Sequence, residues 1–158
     1  MNKAFLETPL GTAVIEGDEN GITGISITAE KIVTSEVIPT SLKDAVAQLK
    51  EYFSGTRQDF DLKLNPEGTN FQKEIWEQLR AIPFGTTASY LELSKAFGNP
   101  KAIRAVAAAN GKNPLWIVVP CHRVIGTDGS LTGYAGGLWR KKWLLEHEQP
   151  SKQQTLTF

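Results

Sequence analysis

Two short runs near the start of the chain, residues 11–16 and 21–27, combine β-branched residues with polar ones. Runs of this length and composition are typical of β-strands. The segment Asp18-Glu19-Asn20-Gly21 between them contains Asn-Gly, which is a strong signal for a tight hairpin turn. The pattern therefore predicts a pair of antiparallel strands close to the N-terminus.

The next segment changes from a strand period to a helical period. Apolar positions over residues 41–53 recur at intervals of three and four, which predicts an amphipathic helix. Ser41 is placed to cap its N-terminus, and Gly55 is placed to end it. Residues 60–64 then alternate again and predict an edge strand. We therefore expect the first half of the chain to be an α/β scaffold.

A break at Asn65-Pro66-Glu67-Gly68 interrupts this pattern, and a new helix begins directly after it. Thr69 and Gln72 stand in the spacing of a capping box, in which each side chain bonds the backbone of the other. The break therefore marks a domain boundary, and the polar C-terminal tail is expected to be poorly ordered. The predicted segments are residues 1–68, residues 69–150 and the tail, residues 151–158.

Two helical segments follow in close succession within the second domain. The first covers residues 89–97 and ends at Gly98, while the second covers residues 101–110 after Asn99 as N-cap and Pro100. A helix, a tight turn at a glycine and a second helix form the layout of a helix-turn-helix. An ordinary αα-hairpin produces the same pattern and remains an alternative.

The second of these helices carries mostly small side chains. Five of its residues are alanine, and Arg104 is the long cationic side chain in its middle. Alanine lets a helix approach another surface closely, and cations attract phosphates without reading base edges. The composition therefore favours DNA binding with little sequence preference. The candidate contact residues are Lys101, Ala102, Arg104, Ala105, Ala107 and Ala108.

The distribution of charge bears on the same question. The chain has 17 Lys and Arg against 17 Asp and Glu, but residues 1–68 hold 6 and 11 of them, which leaves 11 and 6 for the rest. A basic second half indicates a polyanionic partner. The same surplus could simply solubilise a helical surface, so charge alone leaves both interpretations open.

The only cysteine of the chain, Cys121, follows an apolar run over residues 115–119 that we expect to be buried and extended. An unpaired cysteine is either an inert buried residue or a working thiol. Pro120 fixes the backbone before it, and His122 and Arg123 follow it directly. A base and a cation beside a thiol favour the working thiol.

Composition argues against several other classes of protein. No stretch approaches the ~18 apolar residues of a membrane-spanning helix, and the N-terminal residues lack the apolar core of a signal peptide. A single thiol with no possible internal disulfide fits a reducing compartment. We therefore expect a cytoplasmic protein that does not enter a membrane.

Several motifs of the second half occur in the order and spacing of one known family. Pro120-Cys121-His122-Arg123-Val124 resembles the signature of the O6-alkylguanine-DNA alkyltransferases, also called methylated-DNA–protein-cysteine methyltransferases. The resemblance extends to residues 104–106, 113–114, 133–137 and 143–148. It implies a ribonuclease H-like α/β first domain with a small antiparallel sheet. It also implies a mainly α second domain with a winged-helix-like helix-turn-helix.

The resemblance also implies a reaction for DNA repair. The family moves an alkyl group irreversibly from O6-alkylguanine, and from O4-alkylthymine, in duplex DNA to a cysteine, which here corresponds to Cys121. His122 would act as its base through a bound water, with Glu148 orienting the imidazole. Tyr90 would protonate the leaving guanine at N3, and Asn113 would hold the reactive loop. Each molecule would act once, as a suicide enzyme.

The DNA-contacting parts follow from the same resemblance. The alanine-rich helix corresponds to a minor-groove helix, and Arg104 to an arginine that fills the gap left by a flipped nucleotide. Some family members carry serine where this chain has Ala135, so one hydroxyl donor to the guanine O6 is absent while the backbone N–H remains. The implied pocket residues are Pro120, Val124, Tyr134, Ala135 and Gly136.

We expect no cofactor and no metal, because the zinc-binding relatives use N-terminal cysteines that this chain lacks. The expected partner is double-stranded DNA carrying alkylated guanine or thymine, bound by a monomer.

Three alternatives remain beside this interpretation. A non-catalytic damage-recognition protein of the same fold would lack the reactive cysteine. A cysteine hydrolase would use Cys121 with His122 or His147, but it would need an oxyanion hole and would leave the Arg104 helix without a task. A DNA-binding regulator would use the helix-turn-helix, but that helix lacks base-reading side chains.

Overall fold

The computed structural model describes residues 1–149 and divides the chain into two compact units. The first unit contains Met1–Glu67 and Pro114–Trp116, and the second contains Gly68–Asn113 and the described residues from Ile117 onward. The first unit thus takes in three residues from far along the chain, which the sequential division at residue 68 did not foresee. The predicted tail, residues 151–158, lies outside the described residues.

The first unit is built on a three-stranded antiparallel sheet in the order β1-β2-β3. Its strands are β1 (Asn2–Thr8), β2 (Gly11–Asp18) and β3 (Gly21–Thr28). The predicted hairpin between β2 and β3 is confirmed, with Asp18 paired to Gly21. The sequence patterns did not indicate β1, so the small antiparallel sheet has one strand more than the predicted pair.

Helix α1 (Lys43–Ser54) supplies the other layer of this unit, with Ala45, Val46, Leu49 and Tyr52 buried. Gly55 ends it in the left-handed conformation with φ of 85°, as predicted. The prediction that Ser41 caps the helix is wrong. Ser41 lies in a 3-10 turn before the helix, and its hydroxyl accepts a hydrogen bond from the Asn2 side chain at 2.8 Å.

The predicted edge strand over residues 60–64 is also wrong, because its backbone bonds elsewhere. The Gln48 side chain of α1 bonds both the N–H and the carbonyl of Asp61, at 2.9 and 3.0 Å. The segment meets the sheet at its end, where the Ile22 N–H of β3 donates to the Lys63 carbonyl at 2.9 Å and Leu64 forms an isolated parallel bridge to Ile22. Further along the same strand Ile25 forms a second such bridge with Leu115, which places Pro114–Trp116 in the first unit.

The second unit is mainly α-helical. Its elements are α2 (Asn70–Arg80), β4 (Ala88–Ser89), α3 (Tyr90–Phe97), α4 (Ile103–Gly111), β5 (Val124–Ile125) and α5 (Leu138–His147). The predicted capping box of Thr69 and Gln72 begins α2, and a second one, of Ser89 and Glu92, begins α3. The Trp76 indole N–H donates to the carbonyl of Ala109 at 2.9 Å and ties α2 to α4.

Helices α3 and α4 form the predicted helix, turn and helix. Gly98 ends α3 with φ of 99°, and the Asn99 side chain accepts from the backbone N–H of Lys101 at 3.1 Å. A 3-10 turn, Pro100–Ala102, precedes α4, so the α-helix begins two residues later than predicted. The α/β and mainly α fold classes are confirmed, while the winged form of the motif stays a prediction.

The apolar run over residues 115–119 is buried as predicted, but it is not extended. Ile117 has φ of 72°, a left-handed conformation that is strained for a β-branched residue. The chain leaves the first unit between Trp116 and Ile117, so the turn falls where the run changes units. Within residues 1–149 no helix is long and apolar enough to cross a membrane.

Candidate active site

Cys121 begins a 3-10 turn, Cys121–Arg123, and is 5% exposed. The backbone approaching this turn is held by Asn113, which is buried and donates its side-chain N–H to the carbonyl of Val119 at 2.8 Å. The turn closes with a bond from the Arg123 N–H to the carbonyl of Pro120 at 3.0 Å. Asn113 is therefore placed to fix the segment that presents the thiol.

The two residues that follow the cysteine, His122 and Arg123, form a buried ion cluster with Glu148. Glu148, the C-cap residue of α5, bonds His122 Nε2 through Oε2 at 2.8 Å. Arg123 donates to the same carboxylate through Nε at 2.8 Å and through one terminal nitrogen at 3.1 Å. Its other terminal nitrogen donates to the carbonyl of Ile82 at 2.7 Å. His122 and Glu148 are 0% and 1% exposed, so these interactions are shielded from water.

The charges in this cluster follow from burial and pairing. Burial opposes ionisation of Glu148, but His122 and Arg123 outweigh it and hold the pKa of Glu148 well below its usual range. Burial lowers the pKa of His122, although the Glu148 carboxylate acts in the opposite direction. The pKa of His122 therefore lies below its ordinary value, chiefly because of burial, and the imidazole is neutral near pH 7.

A neutral imidazole that donates from Nε2 carries its lone pair on Nδ1. His122 Nδ1 is buried and has no hydrogen-bond partner within residues 1–149. The ring is therefore prepared to accept a proton at Nδ1, while Glu148 faces the nitrogen that keeps its own proton. This is the arrangement of a general base with an orienting carboxylate.

The thiol needs such a base. Burial raises the pKa of Cys121 to about 11, and a hydrogen bond from Asn113 and the charge of Lys141 offset only part of this effect. Cys121 is therefore a neutral thiol at pH 7, and it must lose its proton as it attacks.

Lys141 of α5 is a charged residue that is fully buried. Its ammonium group donates to the carbonyls of Thr132 and Gly133, at 3.2 Å for the latter, and so holds the glycine-rich loop. Burial lowers the pKa of Lys141 to about 8, while the nearby Cys121 acts to raise it. Its burial was not predicted, because a lysine in a helix with basic neighbours has the sequence pattern of a solvated side chain.

Two tyrosines also lie within electrostatic reach of the thiol. Burial raises the pKa of Tyr90, hydrogen bonding by Thr132 and Asn110 opposes this, and Cys121 adds to it. Burial raises the pKa of Tyr134 well above its ordinary value, and Cys121 again adds to the shift. A Cβ on Gly133 would lie 3.8 Å from the Tyr90 hydroxyl, so the loop passes close to this ring.

The remaining pocket candidates differ in exposure. Pro120, Val124 and Gly136 are buried, whereas Ala135 is exposed. Within residues 1–149 no group of three or more His, Cys, Asp or Glu side chains is placed to hold a metal ion.

The DNA-binding candidates lie on the solvent side of α4 and the turn before it. Arg104, Ala105, Ala108 and Lys101 are exposed, and Ala102 and Ala107 are partly exposed. The inward side of the helix contains Val106, Ala109 and Asn110, all buried. The outer surface therefore offers methyl groups and cations, as predicted from composition.

Two family models together match nearly the whole described chain. The model for the ribonuclease-like domain of 6-O-methylguanine DNA methyltransferase matches residues 1–66. The model for the DNA-binding domain of the same family matches residues 70–150.

Individual relatives agree with these models. The methylated-DNA–protein-cysteine methyltransferase of Methanosarcina acetivorans is 46% identical over 155 residues, which cover 94% of this chain and 98% of the relative. The O6-methylguanine methyltransferase of Mycobacterium tuberculosis is 41% identical, with a TM-score of 0.81 over 92% of this chain and 90% of that one. The structure of Mycobacterium tuberculosis OGT in complex with DNA gives a TM-score of 0.84 at 41% identity, covering 94% and 93%. The chain therefore belongs to the 6-O-methylguanine DNA methyltransferase family.

Proposed function

We propose that the protein repairs DNA by moving an alkyl group from O6 of guanine to the sulfur of Cys121. The observation that carries this proposal is the pairing of His122 Nε2 with Glu148, which leaves Nδ1 to accept a proton in the residue directly after the buried thiol. Membership of the alkyltransferase family supplies the substrate class.

The transfer is a single displacement at the alkyl carbon. His122 takes the thiol proton through a bound water, and the sulfur forms its bond to carbon as the bond from carbon to O6 breaks. The electron pair of the broken bond passes to the guanine, which Tyr90 protonates at N3. Tyr90 has then lost its own proton, and His122 replaces it through water. The net result is transfer of the thiol proton to the guanine.

Burial of Cys121 hinders loss of the thiol proton but helps the attack that follows. It raises the pKa of Cys121 to about 11, so the thiol keeps its proton at pH 7 and needs a base. Once deprotonated, a thiolate shielded from water attacks carbon more readily than a hydrated one. The Glu148 carboxylate stabilises the imidazolium that forms on His122.

The reaction is irreversible for this chain. Its product is a thioether, which is a poor leaving group, and the chain holds no second cysteine to attack it. Each molecule is therefore consumed in one event, as a single-turnover methyltransferase.

The alkylated base must leave the duplex to reach a buried thiol. We assign the exposed alanines of α4 to the minor groove, which is only ~6 Å wide, and Arg104 to the gap in the base stack. The walls of the base pocket are assigned to Tyr134, Val124 and the backbone at Ala135. O4-alkylthymine is a second substrate of the same pocket.

The two halves divide the work between them. Residues 1–68 serve as a scaffold, and residues 69–150 carry DNA binding and chemistry, since every group described around Cys121 belongs to the second unit. The lone thiol is suited to the reducing cytoplasm, where it stays unoxidised.

A labelled substrate tests the proposal. Duplex DNA containing O6-methylguanine with an isotopic methyl group should transfer one label per protein molecule to Cys121, located by peptide mass spectrometry. Cys121→Ser is the control and should accept none. Release of labelled methanol over many turnovers would show a hydrolase instead.

A further inference from the structure

Ile117 is the only residue other than glycine with a positive φ within residues 1–149. At its φ of 72° the branched Cβ of an isoleucine crowds the backbone, so the conformation costs free energy. The side chain is 2% exposed, and a strained residue of this kind persists only where its surroundings hold it. Cys121 follows four residues later, so the turn lies directly on the path to the thiol.

On its N-terminal side, Ile117 follows a segment that is bonded to a strand. The Ile25 N–H of β3 donates to the carbonyl of Pro114 at 2.9 Å, and the Trp116 N–H donates to the carbonyl of Ile25 at 3.0 Å. These two bonds fix the direction of the chain up to Trp116. The backbone of Ile117 is therefore the first that can change that direction.

On its C-terminal side, Ile117 precedes a carbonyl that is also fixed. The Val119 carbonyl accepts from the Asn113 side chain and from the Cys121 N–H, both at 2.8 Å. The first bond closes a loop of residues 113–119, so the chain has to turn back inside it. Because of the second bond, the position of Val119 also determines that of the Cys121 backbone.

A change of φ at Ile117 would break this arrangement. Relaxation to an ordinary negative φ would rotate the following chain by roughly 130° and carry the Val119 carbonyl away from Asn113. We propose that Ile117 is a positioning residue, whose left-handed turn, held by its buried side chain, places Cys121 for alkyl transfer. The inference rests on the proposed function.

The choice of isoleucine over glycine supports a role in positioning. Glycine would adopt this φ without strain, but it would also leave the turn free to adopt others. Isoleucine adopts it at a cost, and its buried side chain restricts the turn to one conformation. Displacement at carbon needs the sulfur in line with the bond that breaks, so a small shift of the thiol lowers the rate.

The test compares alanine and glycine at position 117, which differ by one methyl group. Ile117→Ala and Ile117→Gly both remove the buried side chain, but only glycine adopts the left-handed conformation without strain. The glycine variant should therefore unfold at the higher urea concentration. It should also transfer the methyl group from O6-methylguanine duplex faster than the alanine variant, whose single-turnover rate should fall by roughly ten-fold or more from the wild-type value.

Two further readouts separate positioning from a loss of folded protein. Rates are measured at saturating duplex and normalised to the fraction of molecules that accept a methyl group, so misfolded molecules do not contribute. The duplex concentration at half-saturation should stay unchanged, because the turn lies outside the surface of α4 assigned to DNA. Ile117→Val keeps a buried branched side chain and should retain the wild-type rate.

Val118→Ala and Val118→Gly form the matched control. Val118 is the next residue, is also buried and β-branched, and has no positive φ. Here the order of stability should be reversed, because glycine is the more destabilising of the two where the backbone needs no left-handed conformation.

An alanine variant at position 117 that is as stable as the glycine variant, or transfers as fast, would overturn the proposal. If both fail to fold, Ile117→Asn and Ile117→Thr replace them with the same expected order, since asparagine adopts the left-handed conformation more readily than threonine. Absence of methyl transfer in the wild-type protein would refute the proposed function instead, while the urea titrations would still test the turn.

Discussion

At the scale of single residues, the chemistry depends on which member of a buried ion cluster holds a proton. Glu148 faces both His122 and Arg123, and the arginine donates to both oxygens of the carboxylate. Without that cation the carboxylate would attract a proton to the imidazole, which would then no longer be a base. Burial is the main cause of the lowered pKa of His122, and the charge of Arg123 adds to it, a role that its adjacency to the cysteine in sequence did not reveal.

Arg123→Met should raise the pKa of His122. The variant removes the positive charge that offsets the Glu148 carboxylate, so the carboxylate attracts a proton to the imidazole more strongly. The groups that face His122 are Glu148, Arg123 and Lys141. A base works only above its own pKa, so the acid limb of the alkyl-transfer rate should move to higher pH. The rate should be measured from pH 5 to 9 with O6-methylguanine duplex.

The double variant Arg123→Met with Glu148→Gln removes both charges and separates this effect from misfolding. It should bring the acid limb back towards the wild-type position even though its maximal rate is low. An acid limb that does not move in the single variant would show that Arg123 does not set the protonation of His122.

At the scale of elements, two helices have the same kind of N-terminal cap but different first residues. Thr69 caps α2 and Ser89 caps α3, each in a complete capping box. The first residue of α3 is Tyr90, which the proposed reaction uses, whereas α2 begins with Asn70 on the exposed surface. The two caps therefore form a natural comparison between stability and function.

Ser89→Ala and Thr69→Ala should each lower the free energy of unfolding by about 1 kcal/mol, measured by urea titration. Only the Ser89 variant should also slow alkyl transfer, because fraying of α3 displaces the Tyr90 hydroxyl from the pocket. Equal transfer rates in the two variants would mean that the start of α3 does not position the tyrosine.

At the scale of the whole molecule, we assign both DNA binding and chemistry to the unit with the basic surplus. Arg104 of α4 and Lys101 in the turn before it are exposed, while Arg123 and Lys141 in the region of the cysteine are buried. The exposed cations can contact DNA phosphates and bases, whereas the buried ones interact with other groups of the protein. Charge counted along the sequence does not distinguish these two sets.

Arg104→Ala should slow repair of O6-methylguanine in duplex DNA far more than reaction with the free modified base. The free base needs no flipping, so it bypasses the step assigned to this side chain. Single-turnover rates on both substrates provide the measurement, and Arg57→Ala in the first unit is the matched control because Arg57 pairs with Glu51 there. Equal losses on duplex and free base would remove the flipping role.

The sequence by itself determined the features that depend on near neighbours. Capping boxes, glycine stops and helical periodicity act over a few residues, so α2, α3 and the turn before α4 were predicted well. The signature around Cys121 is equally local, and with it the family and the chemistry could be recognised. Ser41 is the exception among the caps, since a hydroxyl near a helix start can bond a distant residue instead.

Only the tertiary structure decided what depends on distant partners. Apolar and polar residues alternate over residues 60–64 as in a strand, yet the Gln48 side chain hydrogen-bonds the backbone N–H and carbonyl of Asp61. The burial of Lys141 and the left-handed turn at Ile117 were equally invisible, because both are set by elements that meet only on folding. Sequence identified the candidate thiol, and the fold determined its burial, the charged groups near it and the pairing of His122 with Glu148.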